Sequence, residues 1–275
     1  NDAPPVKSAD LGIVMGKSGT EVTKSVADMV ITDDNFTTIV SAVREGRRIS
    51  SNIKKTIQFF LSTNLAEVLA IMVVTFAFVG FNFLPSTQLL WINLITDSFP
   101  VLALGVEKGL GDDMKHKPQR AEEALFSKPS LLSVLISALY ITGVTVAAYA
   151  FTLAKYGNAE AVTVAFLTLS FMELFHAFNV RSGNGSAFKG ILSNKVLLIT
   201  VALGLGINVA LCFSPLASAF DIAALPAHLW ALVFGASLSV ILFGEIYKLI
   251  AKLLSRKKEK AVGKRTFKKR KKAAA

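Results

Sequence analysis

Acidic and amide side chains stand in stretches of the chain that are otherwise apolar enough to lie in a membrane. In STNLAEVL, Asn64 and Glu67 are three residues apart, which places both on one face of a helix. In NLITDSFP, Asn93, Thr96 and Asp97 stand at i, i+3 and i+4 and again share a face. Because an ionisable residue inside a membrane is costly, such residues are first treated as functional candidates.

A third acid, Glu173, lies in SFMELFHAFNV, with His176 one turn later. The residues singled out as ligands in the three stretches offer three carboxylates, two amides and a hydroxyl, and the stretches hold no cysteine and no paired histidine. Calcium takes six to eight oxygen ligands of these kinds, whereas transition metals favour sulfur or nitrogen. The residues therefore favour a hard cation such as Ca²⁺. His176 is more typical of a packing or hydrogen-bonding residue than of a ligand.

Each of these residues also has a purely structural interpretation. Amides and hydroxyls such as those of Asn64 and Thr96 often form hydrogen bonds between membrane helices. A single buried acid such as Glu173 can be protonated and structural. Pro100 removes a helical hydrogen bond about one turn earlier, so the helix could loosen near Thr96 and Asp97 and offer carbonyl oxygens. The alternative is a kink that serves packing alone.

The composition indicates a membrane protein. The chain has 275 residues, of which 52% are hydrophobic, and its mean hydropathy is +0.53. A membrane span needs about 20 mostly apolar residues. Six stretches meet this requirement, and they cover approximately residues 56–81, 86–107, 130–155, 159–180, 194–215 and 226–254.

Basic residues indicate the orientation of these spans. They concentrate before the first span, in the loops 107–129 and 181–195, and in the C-terminal tail. All four regions fall on one side if every span crosses, so we expect both termini of this chain in the cytoplasm. Residues 248–272 hold thirteen Lys/Arg and one acid, and they account for the net charge of +11. A tail near anionic lipid is favoured over a nucleic-acid arm, and no nucleic-acid partner is expected.

The first 55 residues differ in kind from the rest. LGIVMG (11–16) is typical of a short strand, and VTKSVADMVI of a helix followed by a strand. Residues 1–35 are therefore interpreted as the edge of an α/β domain, 36–55 as a stalk helix, 56–254 as the transmembrane domain and 255–275 as the basic tail. Fifty-five residues are too few for a complete α/β domain, so we expect its remainder upstream of Asn1.

Three motifs resemble a known family. The stretch NDAPPVKSADLGIVMGKSGTEVTKSVADMVITDDNF closely resembles the end of the HAD-like phosphorylation domain of P-type ATPases, whose hinge motif reads GDGVNDAPAL. Only the NDAP portion is present, as Asn1 to Pro4. STNLAEVL and LLWINLITDSFPVLALGVE resemble the fifth and sixth membrane helices of the type II branch. The resemblance covers the chain except the basic tail.

The resemblance implies a pump that cycles through an aspartyl phosphate and uses ATP and Mg²⁺ when complete. It implies that Asp2, with Asn1, supports the Mg²⁺ and phosphate site. Sarco/endoplasmic-reticulum-type calcium pumps place ligands at six matching positions, and this chain has suitable residues at each: Asn64, Glu67, Asn93, Thr96, Asp97 and Glu173.

The same resemblance distributes these ligands over two calcium ions per cycle. It implies one site of Glu67, Thr96, Asn64 and Glu173, a second with Asn93, and Asp97 bridging both. Asn93 counts against a sodium/potassium pump, and Glu67 against plasma-membrane and secretory-pathway calcium pumps. The DKTGT motif with its phosphorylated Asp, the nucleotide and actuator domains and the first four helices are not in this chain, so alone it is not expected to hydrolyse ATP.

The resulting prediction is a mainly α protein: a six-helix polytopic bundle preceded by the partial edge of an α/β phosphorylation domain. Its expected function is the cation-binding half of an ATP-driven Ca²⁺ pump with H⁺ counter-transport. The alternatives are a non-catalytic fragment or paralogue, a channel or secondary transporter, and a pump for Mn²⁺ or Na⁺. Expected partners are lipid, Ca²⁺ and the N-terminal part of the same pump, in a bacterial plasma membrane or an internal eukaryotic membrane.

Overall fold

The computed structural model describes residues 2–81, 83–108, 114, 127–183 and 185–273, with side chains as far as Leu254. The chain divides into two compact units, one mainly of residues up to Ser51 and one from Asn52 onward. Asn1 lies outside the described residues. So do the four acids Asp112, Asp113, Glu122 and Glu123 of the loop 107–129, for which the sequence favours a solvated loop over a contact with the phosphorylation domain.

The first unit contains two parallel strands joined by a helix. Helix α1 (Ala3–Ser8) precedes strand β1 (Ile13–Met15), helix α2 (Glu21–Val26) and strand β2 (Met29–Ile31). Ile13 lies opposite Met29 and Met15 opposite Ile31. This strand–helix–strand order agrees with the sequence interpretation. That the unit belongs to an HAD-like phosphorylation domain stays a prediction.

A turn rich in acids follows β2. Asp34 has a left-handed backbone conformation with φ 55°, and its carboxylate accepts hydrogen bonds from Lys17 N and Ser18 N, both at 2.8 Å. The backbone N–H of Lys17 lowers the pKa of Asp34 below its ordinary value. The neighbouring Asp33 accepts from the hydroxyl of Thr38 at 2.7 Å, and this bond lowers the Asp33 pKa in the same way. The charged carboxylates therefore stabilise the turn.

Six helical segments within the described ranges have the length and apolar character to cross a membrane. Helix α3 (Phe36–Ala77) is continuous over 42 residues. The second segment consists of α4 (Ser86–Trp91), a π-helical turn (Ile92–Thr96) and α5 (Ser98–Gly105). The remaining four are α6 (Lys128–Lys155), α7 (Asn158–Arg181), α8 (Lys195–Phe213) and α9 (Ala227–Ala273), of which Ala227–Leu254 is the apolar part. Short 3-10 turns occupy Ile191–Ser193 and Pro215–Phe220. These segments confirm the prediction of a mainly helical, polytopic bundle.

Helix α7 lies at the centre of the second unit. Its apolar section is completely buried within the protein, whereas less than half of each other candidate span is buried. It packs against α6, α8 and α9, and also against α5 and the π-helical turn. A helix surrounded by protein can hold polar side chains without exposing them to lipid, and this explains how Glu173 is accommodated.

One end of the bundle is held together by a buried ion pair. Arg181 at the end of α7 donates from Nε to Glu107 Oε2 at 2.8 Å, and both side chains are almost fully buried. Asn194, just before α8, donates to the same carboxylate oxygen at 2.6 Å. Asn52 on α3 donates to the backbone oxygens of Gly105 and Glu107 at 3.1 and 2.8 Å. These contacts join α3, the end of α5, α7 and the start of α8.

Candidate cation site

The second membrane segment is irregular where the polar residues lie. The amide of Asp97 donates to Ile92 O at 2.9 Å, five residues back, which closes the π-helical turn. Pro100 has no N–H, so the carbonyl of Thr96 lacks its usual helical donor. The predicted loosening of the helix near Thr96 and Asp97 is confirmed as this turn. That the backbone oxygens there bind an ion stays a prediction.

Glu67 and Asn93 meet across the gap between α3 and the π-helical turn. The amide Nδ2 of Asn93 lies 3.2 Å from Glu67 Oε1 and 3.0 Å from Oε2, and it also donates to Leu89 O at 3.0 Å. The side chain of Glu67 is 5% exposed. One carboxylate and one amide predicted as ligands are therefore in direct contact.

Asp97 and Glu173 are both fully buried. Asp97 Oδ2 accepts a hydrogen bond from the hydroxyl of Thr63 at 3.3 Å. Within the described part of the chain, Asp97 Oδ1 and both carboxylate oxygens of Glu173 have no hydrogen-bond partner. Both carboxylates lie within electrostatic range of each other and of Glu67. Three acidic groups on three helices thus lie within electrostatic range of one another, and three of their oxygens have no partner among the described residues.

The other two predicted ligands, Thr96 and Asn64, form hydrogen bonds with groups other than the three carboxylates. Thr96 is fully buried, and its Oγ1 accepts from Nδ2 of Asn208 on α8 at 3.2 Å. Asn64 is half-buried, and its Nδ2 donates to Phe60 O of its own helix at 2.9 Å. Neither contact joins these residues to the three carboxylates. Their role as ligands stays a prediction.

Thr63 and Asn208 contact predicted site residues but are not among the ligands predicted from the sequence. Thr63 precedes Glu67 by four residues and so shares its helix face, a signal that the STNLAEVL motif already contained. Asn208 is the one amide in the apolar helix α8, and an isolated polar residue in a membrane helix is itself a signal of a functional or structural role.

His176 is buried between α3 and α7. Its Nε2 lies 3.0 Å from the hydroxyl of Ser62, and its ring stacks on Phe59 with 6.3 Å between centroids. These contacts fit the packing and hydrogen-bonding role that the sequence favoured over metal ligation.

The side-chain atoms that could bind a cation in this region are oxygens. In the parts of the chain that the structure describes, no group of three or more His, Cys, Asp or Glu side chains is close enough to hold a metal by itself. An ion at this place would therefore need amide, hydroxyl or backbone oxygens beside the carboxylates. A hard cation with many oxygen ligands is the type that such a mixed set suits.

Asp2, to which the family resemblance assigns a catalytic role, lies in the first unit. It is exposed and precedes α1, and its side chain does not cap the helix. Its assigned partner residue Asn1 is not among the described residues. Their role at a Mg²⁺ and phosphate site stays a prediction.

With these features established, comparison with known proteins identifies the class. The family described as "Cation transporting ATPase, C-terminus" matches residues 81–250, more than half of the chain. The chain therefore belongs to this family and is an integral membrane protein of the P-type cation pumps. The recognition made from the three sequence motifs is confirmed.

Individual relatives are calcium-transporting ATPases. "Calcium-transporting ATPase 1" of Bacillus cereus is 39% identical over 270 residues, which cover 92% of this chain and 30% of the relative. "Calcium-transporting ATPase" of Bacillus subtilis is 35% identical, covering 94% and 29%. "Calcium-transporting ATPase type 2C member 2" of Rattus norvegicus is also 35% identical, covering 94% and 28%. The chain thus spans less than a third of each of these relatives.

Proposed function

We propose that this chain is the cation-binding and translocating membrane part of an ATP-driven Ca²⁺ pump. The observation that carries the proposal is the set of buried carboxylate oxygens of Asp97 and Glu173 without hydrogen-bond partners among the described residues. Buried charged groups in a membrane need a counter-charge. A transported divalent cation supplies one, and the similarity to calcium-transporting ATPases favours calcium as that cation.

Glu67, Asp97 and Glu173 supply the negative charge of the proposed site, and Asn64, Asn93 and Thr96 supply neutral oxygens. Asn93 directs its Nδ2 toward Glu67, whereas a cation needs the amide Oδ1. In this proposal Asn93 keeps its Nδ2 on Glu67 and offers its Oδ1 to the second ion. The three acids serve two ions in this proposal, with Asp97 shared.

The remaining parts of the pump supply phosphorylation. In the proposed cycle, cytoplasmic Ca²⁺ orders the π-helical turn, and α3 transmits the change toward the phosphorylation domain, to which Asn1, Asp2 and the two-stranded unit belong. ATP with Mg²⁺ phosphorylates an Asp outside this chain. The site then opens to the far side, where the carboxylates release Ca²⁺ and take up protons as counter-ions. Both ends of this chain lie in the cytoplasm.

Asp97→Asn tests the assignment in the complete pump. ATP-dependent uptake of radioactive calcium into vesicles is measured for the parent and the variant, because Asn keeps the shape of Asp97 and removes its charge. We expect uptake to be lost while phosphorylation from inorganic phosphate is retained. Equal uptake in both proteins would mean that Asp97 is structural. Transport of Mn²⁺ or Na⁺ instead of Ca²⁺ by the parent would contradict the ion assignment.

A further inference from the structure

Asn208 is an isolated polar residue in an apolar helix. From Val196 to Phe213 it is the only amide or charged side chain, in a helix that is long and apolar enough to cross a membrane. Its side chain is fully buried. An amide moved into an apolar environment without hydrogen bonds is strongly unfavourable. Its partners therefore explain why the residue is tolerated.

Both polar groups of the Asn208 amide have hydrogen-bond partners within the protein. Its Nδ2 donates to Gly204 O at 2.8 Å, one turn back on α8, and to Thr96 Oγ1 at 3.2 Å. Its Oδ1 accepts from the indole Nε1 of Trp91 at 3.2 Å. An asparagine amide has two N–H donors and one carbonyl oxygen, so each group has a partner.

The two long-range partners of Asn208 stand at the two ends of the π-helical turn. Trp91 is the residue immediately before the turn, and Thr96 is its last residue. One side chain from another helix therefore holds both ends of the irregular segment. The same face has a second anchor, because the ring of Trp91 packs edge-on against Phe220 with 5.2 Å between centroids, and Gln88 donates to Phe220 O at 2.7 Å.

The register of this segment determines where the acidic residue after it points. A π-helical turn accommodates one more residue than an α-helical turn, and it is rare because it is less favourable than regular helix. Relaxation to regular α-helix would rotate the residues beyond the turn by about 100° relative to those before it. Asp97 would then turn away from Thr63 and from the other two carboxylates.

We propose that Asn208 is a positioning residue of the cation site. It contacts no ion itself. Through Trp91 and Thr96 it holds the π-helical turn in the register that presents Asp97 and Asn93 to the carboxylates of α3 and α7. The inference rests on the proposed function and deepens it, because it assigns to α8 a role in ion affinity.

The test uses the complete pump and Asn208→Leu, which keeps the approximate volume and removes the three hydrogen bonds. Phosphorylation by ATP is measured as a function of Ca²⁺ concentration. We expect the concentration for half-maximal phosphorylation to rise about tenfold, which corresponds to about 1.4 kcal/mol. Phosphorylation from inorganic phosphate without Ca²⁺ should stay at the parent level and thereby report the folded fraction.

Thr200→Val is the matched control on the same helix. The hydroxyl of Thr200 bonds only to Leu197 O of α8 at 3.1 Å among the contacts described, so its loss should leave the Ca²⁺ dependence unchanged. A purely structural role for Asn208 would lower phosphorylation from inorganic phosphate and leave the Ca²⁺ dependence of the remaining pump intact. That result would overturn the inference.

Trp91→Phe supplies a second variant, which removes the indole N–H and keeps an aromatic ring against Phe220. We expect a smaller shift in the same direction, and no further shift when it is combined with Asn208→Leu, because both act through one network. If Asn208→Leu does not fold, an unchanged Ca²⁺ dependence in Trp91→Phe overturns the inference.

The two proposals fail in different ways. A parent pump without Ca²⁺-dependent phosphorylation would refute the proposed function, and the positioning role would fall with it. The positioning role alone would be refuted if the parent pump were phosphorylated in a Ca²⁺-dependent way and Asn208→Leu had the same Ca²⁺ dependence as Thr200→Val.

Discussion

Thr63 and Asn64 show how the direction of a side chain decides its surroundings. Thr63 donates to Asp97, whereas Asn64 donates to Phe60 O in its own helix. Relative to Glu67, residues four and three positions earlier are rotated by about 40° and 60° around the helix. The two rotations have opposite directions, so Thr63 and Asn64 flank Glu67 on either side, and spacing alone does not choose between them. The structure shows Thr63 in contact with the buried carboxylate of Asp97, whereas the side chain of the predicted ligand Asn64 is half-buried and bonds within its own helix.

Glu67→Gln is expected to weaken ion binding at the residue scale. The substitution keeps the contact with Asn93 possible but removes one negative charge from the three-acid group. Hydrogen bonds to charged groups contribute about 1.5–3 kcal/mol, and on that scale the Ca²⁺ concentration for half-maximal phosphorylation should rise about 10- to 150-fold.

The control for this variant is Glu160→Gln, in the first turn of α7 and therefore near the end of a span. It should titrate with Ca²⁺ like the parent. A Glu67→Gln pump that also titrates like the parent would exclude Glu67 from the site.

At the scale of elements, the second membrane segment departs from regular helix at the place where its polar residues stand. Two features of different origin coincide with the departure. Pro100 removes a donor, which is a local property of the sequence, and Asn208 holds Trp91 and Thr96 from another helix. A span that is continuous in hydropathy is therefore divided into α4, a π-helical turn and α5.

Pro100→Ala should restore regular helix in this segment. Alanine provides the N–H that the carbonyl of Thr96 lacks, and it favours helix over proline by about 3 kcal/mol. The change competes with the π-helical register, so we expect about tenfold weaker apparent Ca²⁺ affinity in the phosphorylation assay with ATP.

Pro85→Ala is the corresponding control, because Pro85 stands before α4 and its carbonyl still accepts from Leu89 N. Unchanged affinity in both variants would show that Pro100 does not shape the site.

At the scale of the whole membrane unit, the buried pair of Arg181 and Glu107 connects helices that are far apart in the sequence. The pair joins positions 74 residues apart, and Arg181 Nη2 also donates to Gly190 O and Ser193 Oγ at 2.7 and 2.6 Å. Burial of one charge alone is strongly unfavourable, whereas the paired charges satisfy each other.

Arg181→Met should therefore destabilise the unit by about 3–5 kcal/mol, because Glu107 would be left buried without its counter-charge. The double variant Arg181→Met/Glu107→Met should recover much of this loss. Thermal inactivation of the detergent-solubilised pump measures both. Equal losses in the single and double variants would mean that the ion pair is not the source of the effect.

The sequence by itself determined the number of spans, the mainly helical class and the family. It also singled out the acids Glu67, Asp97 and Glu173 and the irregular helix near Pro100. These features follow from local rules, since a bilayer requires long apolar helices and makes each polar exception conspicuous.

Only the tertiary structure decided which of these helices meet and through which side chains. It placed α7 at the centre, brought Asn93 to Glu67 and Thr63 to Asp97, and paired Asn208 with Thr96 over 112 positions. Hydropathy measures how apolar a helix is, but it does not specify how the helix is rotated relative to its neighbours. That rotation depends on the packing of all side chains together, and it is what turns separate polar residues into a site.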